Sequence, residues 1–101
     1  MLQLSKQERE IIQNVFRQFP GHSAEVFLFG SRANGTAKKY SDVDLLIKAK
    51  TEFSSFEKSQ IRSLFEESNS ALFYDIVFDE DLFEPYRKEV ELQKRPLLTT
   101  D

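Results

Sequence analysis

Phe29-Gly30-Ser31-Arg32-Ala33-Asn34-Gly35-Thr36-Ala37-Lys38-Lys39-Tyr40-Ser41-Asp42-Val43-Asp44-Leu45 joins two strand-like segments and carries most of the polar chemistry. Upstream, Glu25-Val26-Phe27-Leu28-Phe29-Gly30 is too short for a helix and rich in strand formers. It is apolar at successive positions, as an interior strand with both faces covered would be. Downstream, Asp42-Val43-Asp44-Leu45-Leu46-Ile47-Lys48 reads as a second strand. About ten residues lie between them, fewer than the dozen or so that a parallel crossover usually takes, so an antiparallel pairing is expected.

Working outward, Ser5 and Glu8 form a capping box for a first helix. Ile11, Ile12, Val15, Phe16 and Phe19 recur along it at helical spacing until Pro20-Gly21 ends it. Beyond the second strand, Ser54 and Glu57 repeat the capping box. A helix is expected from Ser54 or Ser55 to Ser68, with Phe56, Ile61, Leu64 and Phe65 as its apolar stripe. Ala71 to Phe78 reads as a third strand, and a last helix runs from about Phe83 to Lys94 with Pro85 in its first turn. The tail Arg95-Pro96-Leu97-Leu98-Thr99-Thr100-Asp101 has no period that assigns it. A helix between the second and third strands suits a right-handed crossover to a parallel strand. The fold class expected is α/β (α+β): a small mixed sheet with helices mainly on one face, in a single domain spanning residues 1–101.

Composition narrows the function classes. The chain has 101 residues, 40% hydrophobic and 31% charged, with a net charge of −3. This is a globular, water-soluble balance. No apolar run approaches the ~20 residues of a membrane span, and the N-terminus has no apolar signal core. An acidic domain lacks the broad field that grips polyanions, so long nucleic acid is a poor ligand. Cysteine is absent, which excludes disulfides and thiolate chemistry and fits a reducing cytoplasm. The single histidine, His22, follows the Pro-Gly stop and reads as a surface residue.

Three features can carry chemistry. Gly30 lets a ligand approach the backbone, and the N–H groups after it, with the Ser31 hydroxyl, can face phosphate oxygens. The competing reading is an ordinary Gly-Ser turn. Asp42 and Asp44 lie at i and i+2, so in a strand their carboxylates share a face. Like charges so placed raise a pKa, and a divalent cation offsets the repulsion; alternatively, a Ser-Asp turn precedes one frayed, solvated acid. Asp75 lies among large apolar residues in the third strand, where an isolated charge is costly without a metal or a Lys or Arg partner. If the third strand neighbours the second, three carboxylates converge beside a phosphate seat, the arrangement used for in-line phosphoryl or nucleotidyl transfer. Arg32 reads equally as a phosphate contact or a solvated turn residue, and Lys38 and Lys39 as exposed loop cations. Phe53, Phe83, Leu97 and Leu98 fit the periodic core least and suggest a partner-binding patch.

Gly30-Ser31, ten intervening residues, Asp42-Val43-Asp44, and a lone Asp in a third strand together resemble the nucleotidyltransferase superfamily that includes DNA polymerase beta. The run from Gly30 to Gly35 and the ending Ser41-Asp42-Val43-Asp44-Leu45 are most similar to its minimal nucleotidyltransferase (MNT) branch, over about residues 5 to 94. The resemblance implies that Gly30 and Ser31 hold the β- and γ-phosphates of a nucleoside triphosphate, ATP for preference, with Arg32 beside them. Asp42 and Asp44 would bind Mg²⁺, and Asp75 would complete a second Mg²⁺ site and help deprotonate an attacking hydroxyl. It further implies a HEPN toxin as partner in a hetero-oligomer, with this chain as antitoxin and protein adenylyltransferase. A chain this short has no room for an acceptor-binding domain, which favours an acceptor that completes the cleft. An antitoxin acting by contact alone, or a small-molecule nucleotidyltransferase, are the alternatives.

Overall fold

The computed structural model describes residues 3–68 and 70–100. The elements run α1 (Lys6–Arg17), β1 (Ala24–Phe29), α2 (Ser31–Asn34), β2 (Val43–Ala49), α3 (Ser55–Glu66), β3 (Tyr74–Phe78), α4 (Glu84–Gln93) and β4 (Arg95–Thr100), with a 3-10 turn at Asp79–Asp81. Both expected capping boxes form: Ser5 with Glu8 opens α1, and Ser54 with Glu57 opens α3. In each, the serine hydroxyl accepts the N–H of the glutamate, whose carboxylate in turn accepts the N–H of the serine.

The strands form one sheet in the order β3-β2-β1-β4. β1 and β2 are antiparallel, with Phe29 opposite Asp44. β2 and β3 are parallel, with Asp44 opposite Asp75. The mixed sheet is therefore built as the loop and crossover lengths require. The strand that periodicity did not assign is β4, which pairs antiparallel with β1 and shifts register between Val26 and Phe27. Its Pro96 is tolerated because β4 is an edge strand, where a missing N–H costs no ladder bond.

Alternation along the strands separates two cores. Val26 and Leu28 of β1, Val43, Leu45 and Ile47 of β2, and Ile76 and Phe78 of β3 face α1 and α3. They meet Ile12, Val15 and Phe16 of α1 and Ile61 and Phe65 of α3. The intervening positions point the other way, where Phe27 and Leu46 pack against Val90 of α4. The two long helices thus share one face, and α4 crosses part of the other. The acids of β2 and β3 belong to this second, more open face.

Two expectations need correction. Phe53, placed outside the core by its spacing, is 3% exposed. It precedes α3 and collects rings from distant segments: Phe16 at 6.4 Å, Phe19 at 5.8 Å, Phe78 at 5.9 Å and a stacked His22 at 4.1 Å. Leu97 and Leu98 sit in β4 against the main core, so of the suggested patch only Phe83 stays exposed, beside Tyr86. His22 is likewise no free surface residue. Its Nδ1 donates to the Thr51 carbonyl at 3.0 Å, and its Nε2 lies 2.9 Å from Glu57.

Two outcomes test this packing. Phe53→Ala removes the ring that joins α1, α3 and β3, and should cost about 3–5 kcal/mol, read as a lower urea midpoint. The Thr51 carbonyl, and after it Glu57, raises the His22 pKa above its ordinary 6.5. The protonated ring is favoured in the fold, so its stabilisation is complete below that value and is lost as pH rises through the raised one. His22→Gln should therefore lose less stability than wild type when titrated from pH ~6 to ~8, as read by denaturant midpoints.

Candidate active site

The site begins where β1 stops. Gly30 takes φ +73°, a backbone that side-chain-bearing residues rarely adopt. A Cβ there would also collide with Asp44 Oδ2, so the glycine lets the turn lie directly against a carboxylate. α2 starts at Ser31, and its first turn closes as Ala33 N–H and Asn34 N–H donate to the Gly30 carbonyl. Gly35, at φ +84°, ends it in the left-handed region. The Gly-Ser turn is thus a strand-to-helix junction rather than an ordinary reverse turn.

The three acids lie on neighbouring strands. Asp42 is exposed immediately before β2, Asp44 is partly buried within it, and Asp75 is exposed across the ladder in β3. Register partners of a parallel pair point to the same face, so Asp44 and Asp75 stand side by side. Burial first, then the charges of Asp75 and Asp42, push the Asp44 carboxyl up to about 6. Among the described residues, none of the ion pairs engages these three acids, so a salt bridge does not offset the charge of Asp75. Nor, among the described residues, do three His, Cys, Asp or Glu side chains already converge closely enough to hold a metal ion. The donor set still fits a hard divalent cation: oxygen-only, anionic, unpaired and partly desolvated. Asp42, Asp44 and Asp75 are the residues that would hold it. A cleft of about 580 Å³ lies along β3 and the end of α3, lined in part by Arg62, Phe73, Tyr74 and Asp75.

Arg32 departs from expectation. It is 7% exposed and does not reach toward a phosphate seat. Its Nε donates to the Ser41 carbonyl at 3.0 Å, Nη1 to the Gln3 carbonyl at 2.9 Å and Nη2 to the Lys39 carbonyl at 3.3 Å. The guanidinium is occupied by backbone, so neither the phosphate contact nor the solvated-turn reading describes it. Lys38 and Lys39 are exposed, as expected.

Two glutamines had no sequence signal. Gln93, at the end of α4, accepts the Gly30 N–H on Oε1 at 3.3 Å. Gln3 brackets Ala37, accepting its N–H at 2.8 Å and donating to its carbonyl at 3.3 Å. A glutamine on a helix end or near a terminus ordinarily reads as solvated, and only the fold supplies these partners.

A family model described as "Nucleotidyltransferase domain" matches residues 8–98. The chain belongs to that family. Among similar proteins, the Haemophilus influenzae protein named "Probable protein adenylyltransferase MntA" is 33% identical over 69 residues, 67% of this chain and 59% of that protein. This nucleotidyltransferase domain therefore matches less than two thirds of that relative's length. Two solved structures share its fold. One is a toxin–antitoxin with AMP-PNP, at 22% identity and TM-score 0.66, covering 89% of this chain and 72% of that one. The other is a tri-AMPylated Shewanella oneidensis HEPN toxin in complex with MNT antitoxin, at 20% identity and TM-score 0.59, covering 89% and 68%. Among the described residues no helix is long and apolar enough to cross a membrane.

The strain among the acids has a measurable sign. Asp44 holds its proton to about pH 6, well above the ordinary 3.8, so the folded state binds the extra proton between these values. Stability falls as pH rises through that window and stays lower above it. Asp44→Asn should stabilise the metal-free protein at pH 7.5 by about 1 kcal/mol, or ~4–8 °C in Tm, discounted for the half-exposed carboxyl. The gain should vanish near pH 4, as read by thermal melts in a chelating buffer.

Proposed function

We propose that this domain is a Mg²⁺-dependent adenylyltransferase that moves AMP from ATP to a hydroxyl of a HEPN-type toxin and thereby acts as its antitoxin. The observation that carries the reading is the register of Asp44 against Asp75, which sets two unpaired acids side by side with Asp42 two residues before the first. The named relatives, an adenylyltransferase and complexes of toxin with antitoxin, support the choice of nucleotide and partner.

In this reading the Gly30–Ser31 turn receives the β- and γ-phosphates, its N–H groups and the Ser31 hydroxyl facing their oxygens. Asp42 and Asp44 would hold Mg²⁺, and Asp75 would help hold a second ion. Mg²⁺ held there would supply neutralisation of phosphate charge and a lower pKa for the attacking hydroxyl. The acceptor oxygen bonds to the α-phosphorus as the bond to the bridging oxygen breaks and pyrophosphate departs. Asp75 takes the acceptor's proton, exposed where an incoming protein surface can reach it.

The contact-only reading has one observation in its favour: the Gly30 N–H already has an acceptor in Gln93, which a phosphate would have to displace. Incubation with a HEPN-type toxin, Mg²⁺ and ATP labelled at the α-phosphate separates the two. Transfer of label to the toxin is expected, falling at least about a hundredfold for Asp42→Ala and for Asp75→Asn. If Asp42→Ala transfers label as well as wild type, the catalytic reading is wrong. If no label moves and the Asp42→Ala/Asp44→Ala protein still neutralises the toxin, contact alone accounts for the antitoxin.

A further inference from the structure

Residues 35 to 42, which carry the chain from α2 to β2, contain no helix or strand. They join the Gly30–Ser31 turn to Asp42, the residue just before β2, so their path bears on how Asp42 presents its carboxylate beside that turn. An unrestrained stretch of this length would populate many paths, because each free residue gains backbone entropy. Arg32 restricts them from inside. Its backbone belongs to α2, one residue after Ser31, while its guanidinium grips the carbonyls of Lys39 and Ser41, the latter adjacent to Asp42. The third donor direction reaches Gln3, whose own N–H returns to the Arg32 carbonyl at 2.9 Å. Gln3 then clamps Ala37 in the middle of the same stretch.

This use of a cation is unusual. A buried arginine is commonly paired with a carboxylate, and two acids that no ion pair among the described residues engages, Asp42 and Asp44, lie ten and twelve residues along the chain. Arg32 instead satisfies its charge with three carbonyl dipoles. Its planar fork can span acceptors on separate segments, which the compact ammonium of lysine cannot reproduce. The acids are thereby left to a cation from solution.

We infer that Arg32 is a positioning residue for the divalent-cation site: it locks residues 39–41 so that Asp42 presents its carboxylate at a fixed distance from the Gly30–Ser31 turn. The inference rests on the metal-binding reading of Asp42 and Asp44 proposed above. A role of this kind alters metal affinity through an intermediate segment, without touching metal or nucleotide.

The test uses the full chain as Arg32→Lys, which keeps the charge and loses the fork. Three readouts apply: Mn²⁺ affinity by electron paramagnetic resonance, amide hydrogen exchange of residues 36–42, and the KM for ATP at saturating Mg²⁺ in the labelling assay. Mn²⁺ binding should weaken about tenfold, the scale typical when a group that orients a metal ligand is lost. Exchange over 36–42 should quicken, while the KM for ATP at saturating Mg²⁺ stays within about twofold. Unchanged Mn²⁺ affinity in a folded variant overturns the inference and leaves Arg32 a purely structural anchor. So does a raised KM for ATP with unchanged Mn²⁺ affinity, which would make it a nucleotide contact. Mn²⁺ binding is read without catalysis, so a wild type that binds Mn²⁺ but transfers no label defeats the transferase reading alone. A wild type that binds no Mn²⁺ defeats both. Should Arg32→Lys not fold, Gln3→Ala releases the clamp on Ala37 and keeps the guanidinium; it should weaken Mn²⁺ binding in the same direction by a smaller factor, and an unchanged affinity there counts against the inference.

Discussion

Two carboxylates in register on adjacent strands are the constraint around which the rest of this domain is arranged. Asp44 and Asp75 face each other across the parallel pairing of β2 and β3, and Asp42 adds a third charge at the mouth of β2. Left to themselves such groups separate, because partial burial and mutual repulsion both oppose ionisation. The strands hold them together because their opposite faces are committed elsewhere. Val43, Leu45 and Ile47 alternate with Asp44 and are completely buried under α1 and α3. A shift of one residue would expose those side chains and bury the acids, so the main core fixes the register and the register imposes the charge cluster.

The same logic explains the close approach at Gly30. β1 carries Phe29 opposite Asp44, so the turn that follows β1 must pass the carboxylate of β2. Only a residue without Cβ can make that passage at this distance. The Gly30–Ser31 turn and the acid cluster are thus one geometric feature seen from two strands. α2 is a single turn of helix, yet it supplies both the Ser31 backbone beside Gly30 and, through Arg32, hydrogen bonds to the chain leading to Asp42. α4 closes the open face only in part: Val90 covers Phe27 and Leu46, and Gln93 reaches Gly30, while Asp42 and Asp75 remain exposed.

What was legible in the amino-acid order follows the range of the interactions involved. The helices that begin at Ser5 and Ser54 are announced by partners three residues away, and their apolar stripes repeat within a few turns. The antiparallel and parallel pairings follow from connection lengths. β4 escaped because its backbone bonds depend on β1, some seventy residues earlier, and Pro96 with adjacent Leu97 and Leu98 breaks the alternation that marks a strand. Phe53 and His22 were misjudged for a related reason. Each is defined by rings and carboxylates 25 or more residues distant, such as Phe78 and Glu57. Arg32 is the subtler case: beside Ser31 it reads equally as a phosphate contact or a solvated turn residue, whereas its guanidinium turns inward to carbonyls of the chain that follows.

Residue order alone therefore determined which chemistry is available here: a glycine able to turn beside an acid, a serine after it, and three aspartates with no cysteine, no histidine pair and no basic surface to suggest another use. Those are properties of residue type and local spacing, and they are present before folding. Tertiary structure decided which face those groups occupy, that among the described residues no Lys or Arg forms an ion pair with the acids, and that the Arg32 guanidinium bonds to backbone carbonyls of the following loop. Each of these depends on which distant segments meet once the apolar sides of β1, β2 and β3 are buried, and burial is a collective outcome that no single stretch of the chain contains.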